Sequence, residues 1–283
     1  MRIKIGDSWL FFDVEGAKLR PDGPRVKELP TLLLLHGGPG FDHSSYKPAM
    51  SALADIAQVV YLDHRGQGRS DRVCPARWRL SNWARDVKDF CDALEITKPV
   101  VVGNSFGGFV AIAYAAHNPS HPAKLILSST AARMRLDRSY DAFERLGGKP
   151  AREVAQRFWE NPSEQTIAEY RRVCLPLYNR SRALGDSDMV RRTIFNFELM
   201  FDFISGEGRT FDLRPDLRRL ECPTLILAGE DDPIFPIADA RDIADAISPS
   251  LLRFERFANA SHGVYRDAPE QALRVIREFI QQS

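Results

Sequence analysis

The chain has 283 residues, 44% of them hydrophobic and 27% charged, with 39 basic residues against 38 acidic ones. That length can bury a large core, and that composition belongs to a folded globular protein rather than a disordered or membrane-spanning one. A formal net charge of +1 gives no global field for nucleic acid or an anionic membrane, so the expected partner is a small molecule or short peptide.

In chain order, Ile3 to Ile5 and Leu10 to Val14 read as an opening antiparallel pair. The apolar stretch Trp9 to Phe12 is cut off by Asp13, too short for a signal-peptide core, and a cytoplasmic protein is expected. Thr31 to Leu35 is a continuous apolar run, the mark of a strand covered on both faces. A helix is predicted around Tyr46 to Ile56, a strand over Gln58 to Leu62, a helix near Asn82 to Leu94 and a strand over Pro99 to Val102. Phe106 to Ala116 reads as a small-residue helix and Lys124 to Leu127 as another buried strand.

The strand signal then disappears, and amphipathic stretches such as Ala151 to Trp159 and Ser163 to Val173 replace it. The rhythm resumes with a strand at Pro223 to Leu227, a helix near Ala238 to Ile247, a strand at Leu251 to Phe257 and a closing helix at Glu270 to Ile280. Alternating strands and helices predict an α/β fold with a mostly parallel sheet flanked by helices. The core is expected over residues 1–130 and 221–283, with residues 131–220 as an inserted helical cap. The four cysteines, Cys74, Cys91, Cys174 and Cys222, form no C-x-x-C pair and are read as thiols; no metal or organic cofactor is called for.

Gly103-Asn104-Ser105-Phe106-Gly107 fits G-x-S-x-G between an apolar strand and an Ala-rich helix, the setting that pushes a serine hydroxyl out above a sheet. A serine needs a base to take its proton. Of six histidines, His262 alone follows the last strand, where a loop can reach back over Ser105. An acid to orient it should follow the strand ending at Leu227, where the chain reads Glu230-Asp231-Asp232-Pro233. Asp232 is favoured at the tip of a turn that Pro233 restricts, with Asp231 as runner-up. The oxyanion donors would be the backbone N–H groups of Phe106, after the nucleophile, and of Gly38, in the glycine loop His36 to Gly40.

With these residues in place, His36 to Gly40, Asp63 to Ser70, Gly103 to Gly108, Asp232 and His262 together resemble the proline iminopeptidase-like branch of the α/β-hydrolase superfamily, outside the expected cap. The resemblance implies an α/β-hydrolase fold with a helical cap over a Ser105–Asp232–His262 triad. It also departs from the branch. His64 stands where Gln is usual, and Asn104 and Phe106 where Gly and Trp are usual. An aminopeptidase must hold a free amine, and Glu198 resembles the cap glutamate that does so in some members. Glu160 and His43 are further substrate-binding candidates. The expected activity is hydrolysis of a small ester or amide through an acyl-enzyme, as an aminopeptidase or, alternatively, a carboxylesterase or lactonase. An acyltransferase and a non-catalytic binding module are the remaining readings.

Overall fold

The computed structural model describes residues 1–180 and 186–282. Its strands are β1 (Arg2–Ile5), β2 (Ser8–Glu15), β3 (Leu19–Asp22), β4 (Arg25–Glu28), β5 (Thr31–Leu35), β6 (Gln58–Leu62), β7 (Val100–Asn104), β8 (Lys124–Ser128), β9 (Thr224–Gly229) and β10 (Leu252–Phe257). Eight of them form one sheet in the order β1-β2-β6-β5-β7-β8-β9-β10, and β3 pairs with β4 alone. From β6 to β10 every neighbour runs parallel, while β1 and β2 make the antiparallel edge. This is the mostly parallel sheet that the strand-helix rhythm predicts, in the arrangement that the resemblance to the α/β-hydrolases implies.

The alternation along each strand divides the core in two. Leu33, Leu35, Val101, Leu125 and Leu127 face one way, toward α1 (Leu80–Ala93) and α2 (Phe106–His117), where Trp83 and Phe106 are fully buried. Leu32, Leu34, Val102, Ile126 and Leu227 face the other way, and the closing C-terminal helix covers them with Val275, Ile276 and Phe279. Covered on both faces, β5 buries all five residues, hence its unbroken apolar run. In α2 nearly every side chain is buried, so small residues such as Ala111, Ala113 and Ala115 let it lie close to the sheet.

Between β8 and β9 the described residues form α3 (Leu136–Glu160), α4 (Glu164–Val173), α5 (Asp186–Arg192), α6 (Phe197–Ser205) and α7 (Arg214–Leu217), with short 3₁₀ turns and no strand. Residues 181–185 of the expected insertion lie outside the described residues. The α3 helix is longer than its sequence pattern indicates and is kinked at Gly148, just before Pro150. Asn196 ties this segment to the sheet: its N–H donates to Gly40 O (2.7 Å) and its Nδ2 to Gly66 O (2.8 Å). After β9 come α8 (Ile237–Ala244), β10, α9 (Val264–Asp267) and α10 (Pro269–Gln281).

Two local expectations are corrected. The helix predicted around Tyr46 to Ile56 is instead two 3₁₀ turns, His43–Tyr46 and Ala49–Leu53. Pro48 lies between them, lacks an N–H, and forces Lys47 into an extended conformation with ψ of 139°. The hairpin β3–β4 carries only exposed residues and so has no apolar alternation to read, although Asp22-Gly23 supplies its turn. All four cysteines are free thiols, and no helix among the described residues is long and apolar enough to cross a membrane.

Candidate active site

Ser105 sits between β7 and α2 with φ 56° and ψ −122°, a conformation that costs a non-glycine residue on the order of 1–3 kcal/mol. The surroundings hold it there. Its N–H donates to Ser128 O (3.0 Å), and its carbonyl accepts from Gly108 N (2.9 Å) and the Thr130 hydroxyl (2.8 Å). Gly107 is required because any side chain there would collide with the Leu35 carbonyl. As the first residue of α2, Phe106 presents an N–H that the helix itself cannot satisfy.

The glycine loop after β5 lies against this turn: a Cβ on Gly37 would be 3.2 Å from Ser105 Cβ. His36 anchors the loop. Its Nδ1 bonds to Gly37 O (2.7 Å), and its Nε2 accepts from His64 N (3.1 Å), so the ring is in its neutral form. Burial pushes both His36 and His64 below the usual histidine range. Gln67 Oε1 accepts the Gly40 N–H (2.6 Å), and Arg65 makes a buried two-pronged pair with Asp86 (2.7 Å twice). The segment Asp63 to Ser70 thus supports the glycine loop rather than lining the cavity.

His262 lies in the loop after β10, and its Nδ1 donates to Asp232 Oδ2 at 2.9 Å. Asp232 is 1% exposed, and its Oδ1 accepts the N–H groups of Ile234 (2.8 Å) and Phe235 (3.0 Å), which fix the carboxylate's direction. The histidine loop is pinned by Ser261, whose N–H donates to Asp267 Oδ2 (2.8 Å) and whose hydroxyl reaches Leu177 O (2.7 Å) and Asp231 O (2.9 Å). Asp231 turns to the surface instead, where Arg145 (2.9 Å) and Arg180 bind it. Burial raises its pKa, but the two guanidinium groups outweigh this and hold it below the usual carboxylate value.

Ser105, Phe106, Gly38 and His262 all line one cavity of about 860 Å³. Its walls are mainly apolar, with Phe41, Phe158, Phe197, Met200, Phe203 and Phe235 among them. Glu160 also lines it and accepts from Gln156 Nε2 (2.9 Å). Glu198 does not: it is exposed on the face of α6 opposite the buried stripe Leu199, Met200, Phe203 and Ile204. His43 is also outside, its Nδ1 2.7 Å from Asp63 Oδ1 and its ring stacked 5.6 Å from Phe11. As substrate-binding candidates both are therefore corrected, Glu198 by the facing of its helix and His43 by its buried partner.

Among the polar side chains of the cavity that no sequence motif marks, three stand out. Tyr140 has a buried hydroxyl without a partner among the described residues, its pKa pushed up to about 12 by burial. Tyr178 packs edge-on against His262 (5.1 Å) and shares a 2.7 Å hydroxyl contact with Tyr170. Arg171 is the third. Among the described residues no group of three or more His, Cys, Asp or Glu side chains is placed to hold a metal ion.

A family model described as the alpha/beta hydrolase fold matches residues 30–269. The proline iminopeptidase PfmaB of Pestalotiopsis fici is 28% identical over 287 residues, covering 96% of this chain and 99% of that protein. Among solved structures, a proline iminopeptidase of Mycobacterium smegmatis aligns with a TM-score of 0.79 at 24% identity, covering 100% of this chain and 97% of the other. A thermophilic esterase of Thermogutta terrifontis aligns with a TM-score of 0.73 at 28% identity, covering 99% and 98%.

Proposed function

The chain belongs to the α/β-hydrolase family, is similar to its proline iminopeptidase-like branch, and from that premise we propose a serine hydrolase of small, largely apolar esters or amides. The observation that carries this reading is that Ser105, on its strained turn, and His262, held by Asp232, open onto the same apolar cavity.

In the proposed mechanism His262 Nδ1–H stays on Asp232, leaving Nε2 free to take the proton from Ser105 Oγ as that oxygen attacks the substrate carbonyl. The Phe106 and Gly38 N–H groups stabilise the oxyanion of the tetrahedral intermediate. Collapse breaks the bond to the alcohol or amine, which leaves with the proton from His262. Water, deprotonated by the same ring, then releases the acid and restores Ser105. The described helices between β8 and β9 act as the cap that encloses the substrate, contributing Tyr140, Phe158, Phe197 and Met200 to the wall. Neither Glu198 nor His43 has a part in this reading.

Aminopeptidase activity is the second reading, favoured by the carboxylate of Glu160 on the cavity wall and by the similarity to proline iminopeptidases. Steady-state hydrolysis of p-nitrophenyl esters beside prolyl and other aminoacyl anilides, with Ser105→Ala as blank, tests both. Turnover lost in the blank supports the hydrolase, and anilide turnover that vanishes on acetylating the amine selects the aminopeptidase. Turnover that survives Ser105→Ala overturns the proposal.

A further inference from the structure

Among the described residues the charged side chains lining the cavity are Arg171, Arg209, Arg266, Asp137 and Glu160, and Asp137 is already paired with Arg135 at 2.6 Å. Arg209 is occupied by main-chain carbonyls, donating to Ile204 O (3.2 Å), Trp159 O (3.3 Å) and Glu160 O (2.6 Å). Arg266 donates from Nε to Asn179 Oδ1 at 2.9 Å.

Arg171 differs from both. It stands near the end of α4, and among the described residues no carboxylate lies within 4.0 Å of it. Its guanidinium carbon lies 5.5 Å from the centroid of Phe195, a cavity-lining ring. Phe195 is itself held by stacking on Phe197 (5.2 Å, 11°) and by an edge contact with Phe41 (5.1 Å). A cation over an aromatic face is attracted by the ring, while the in-plane N–H donors of a guanidinium remain available for a planar two-oxygen acceptor. The rest of the wall is mainly apolar, which disfavours a multiply charged group and fits a single carboxylate on an apolar body.

We propose that Arg171, poised on Phe195, is the anion-recognition residue of this cavity, so that the favoured substrates carry a carboxylate in addition to the scissile ester or amide. The inference rests on the hydrolase reading for the scissile bond, but the binding it asserts is measurable without turnover.

The test is calorimetric titration of the full chain with ω-phenylalkanoates of increasing chain length and with the matching primary amides. Wild type binds the carboxylate about tenfold more tightly than the amide at the length that reaches both wall and guanidinium, the size expected of a charge-assisted pair at a partly exposed site. Arg171→Gln abolishes the difference and Arg172→Gln, an exposed neighbour outside the cavity, keeps it. Added salt shrinks it, because Arg171 is an exposed residue. Absence of a carboxylate preference at every length in wild type, or its survival in Arg171→Gln, overturns the proposal. Failure to turn over esters while the preference persists counts against the hydrolase reading and not against this one.

Discussion

Two histidine–aspartate pairs in this chain share nearly the same burial and differ in what the second ring nitrogen can meet. His262 and Asp232 have side-chain exposures of 8% and 1%, and His43 and Asp63 of 8% and 0%. In the first pair the carboxylate is aimed by two backbone N–H groups and the histidine lines the cavity with Ser105. In the second, Asp63 gathers His43 N (3.0 Å), His43 Nδ1 (2.7 Å) and Arg69 N (2.9 Å), and the His43 ring packs on Phe11 and Tyr61. Burial raises the Asp63 carboxyl, yet the hydrogen bonds it accepts from His43 and from the Arg69 N–H oppose this, and the carboxyl is held below its usual value. A buried Asp–His contact is thus no signature of catalysis by itself. What separates the pairs is an open cavity carrying a serine.

Exchanging one oxygen for nitrogen in each pair separates them most sharply. Asp232→Asn keeps the shape but favours the wrong histidine tautomer, so kcat should fall about 10⁴-fold with the fold intact, as such a change does in serine proteases. Asp63→Asn should do the reverse, lowering unfolding free energy by about 1–3 kcal/mol, because an amide nitrogen in place of a carboxylate oxygen leaves a buried donor of His43 or Arg69 without its acceptor. Turnover per folded molecule should then stay near wild type. Urea unfolding and active-site-normalised kinetics on both variants check this, and matching effects would dissolve the distinction.

A third buried carboxylate sharpens the contrast through pH. Asp239, on α8, meets Arg138 at 2.6 Å through Oδ1, while its buried Oδ2 has no partner among the described residues. Burial dominates and pushes its pKa from 3.8 to about 6. The neutral form is then favoured by folding, so its contribution to stability is full below pH 3.8 and is lost as pH rises through about 6. The stability difference between wild type and Asp239→Asn should therefore move in favour of the variant between pH 4 and 7. A difference constant over that window would contradict the assignment.

The smallest effects should come from acids adjacent in sequence to the site but not in space. Asp231→Asn loses exposed pairs with Arg145 and Arg180 and should change kcat/KM by less than about threefold, in keeping with the small energies of surface ion pairs. Glu198→Gln should be quieter still, on esters and aminoacyl anilides alike. A selective loss on anilides would return Glu198 to the substrate site.

Most of the frame was legible because it is written in short-range patterns. The apolar run of β5, the glycine-flanked Ser105 and the position of His262 after the last strand each carry a local signal. The choice of Asp232 over Asp231 depended on which of two adjacent carboxylates turns inward, which only the Ile234 and Phe235 N–H groups reveal. The partnership of His43 with Asp63 spans 20 residues and has no sequence mark. Glu198 differs: the helical stripe Leu199, Met200, Phe203, Ile204 directs its side chain outward, a local pattern that outranks the resemblance. Arg171 and Tyr140 were invisible because cap positions are defined only by what they face across the cavity.

The central claim is that Ser105 is the nucleophile activated by the pair that meets the cavity. Its most direct test is covalent: incubation with a fluorophosphonate, followed by peptide mass spectrometry of wild type and Asp232→Asn. The account requires one phosphonate on the peptide containing Ser105, formed rapidly in wild type and far more slowly in the variant. A label on another residue, or ester turnover that persists with Ser105 unlabelled, would contradict it.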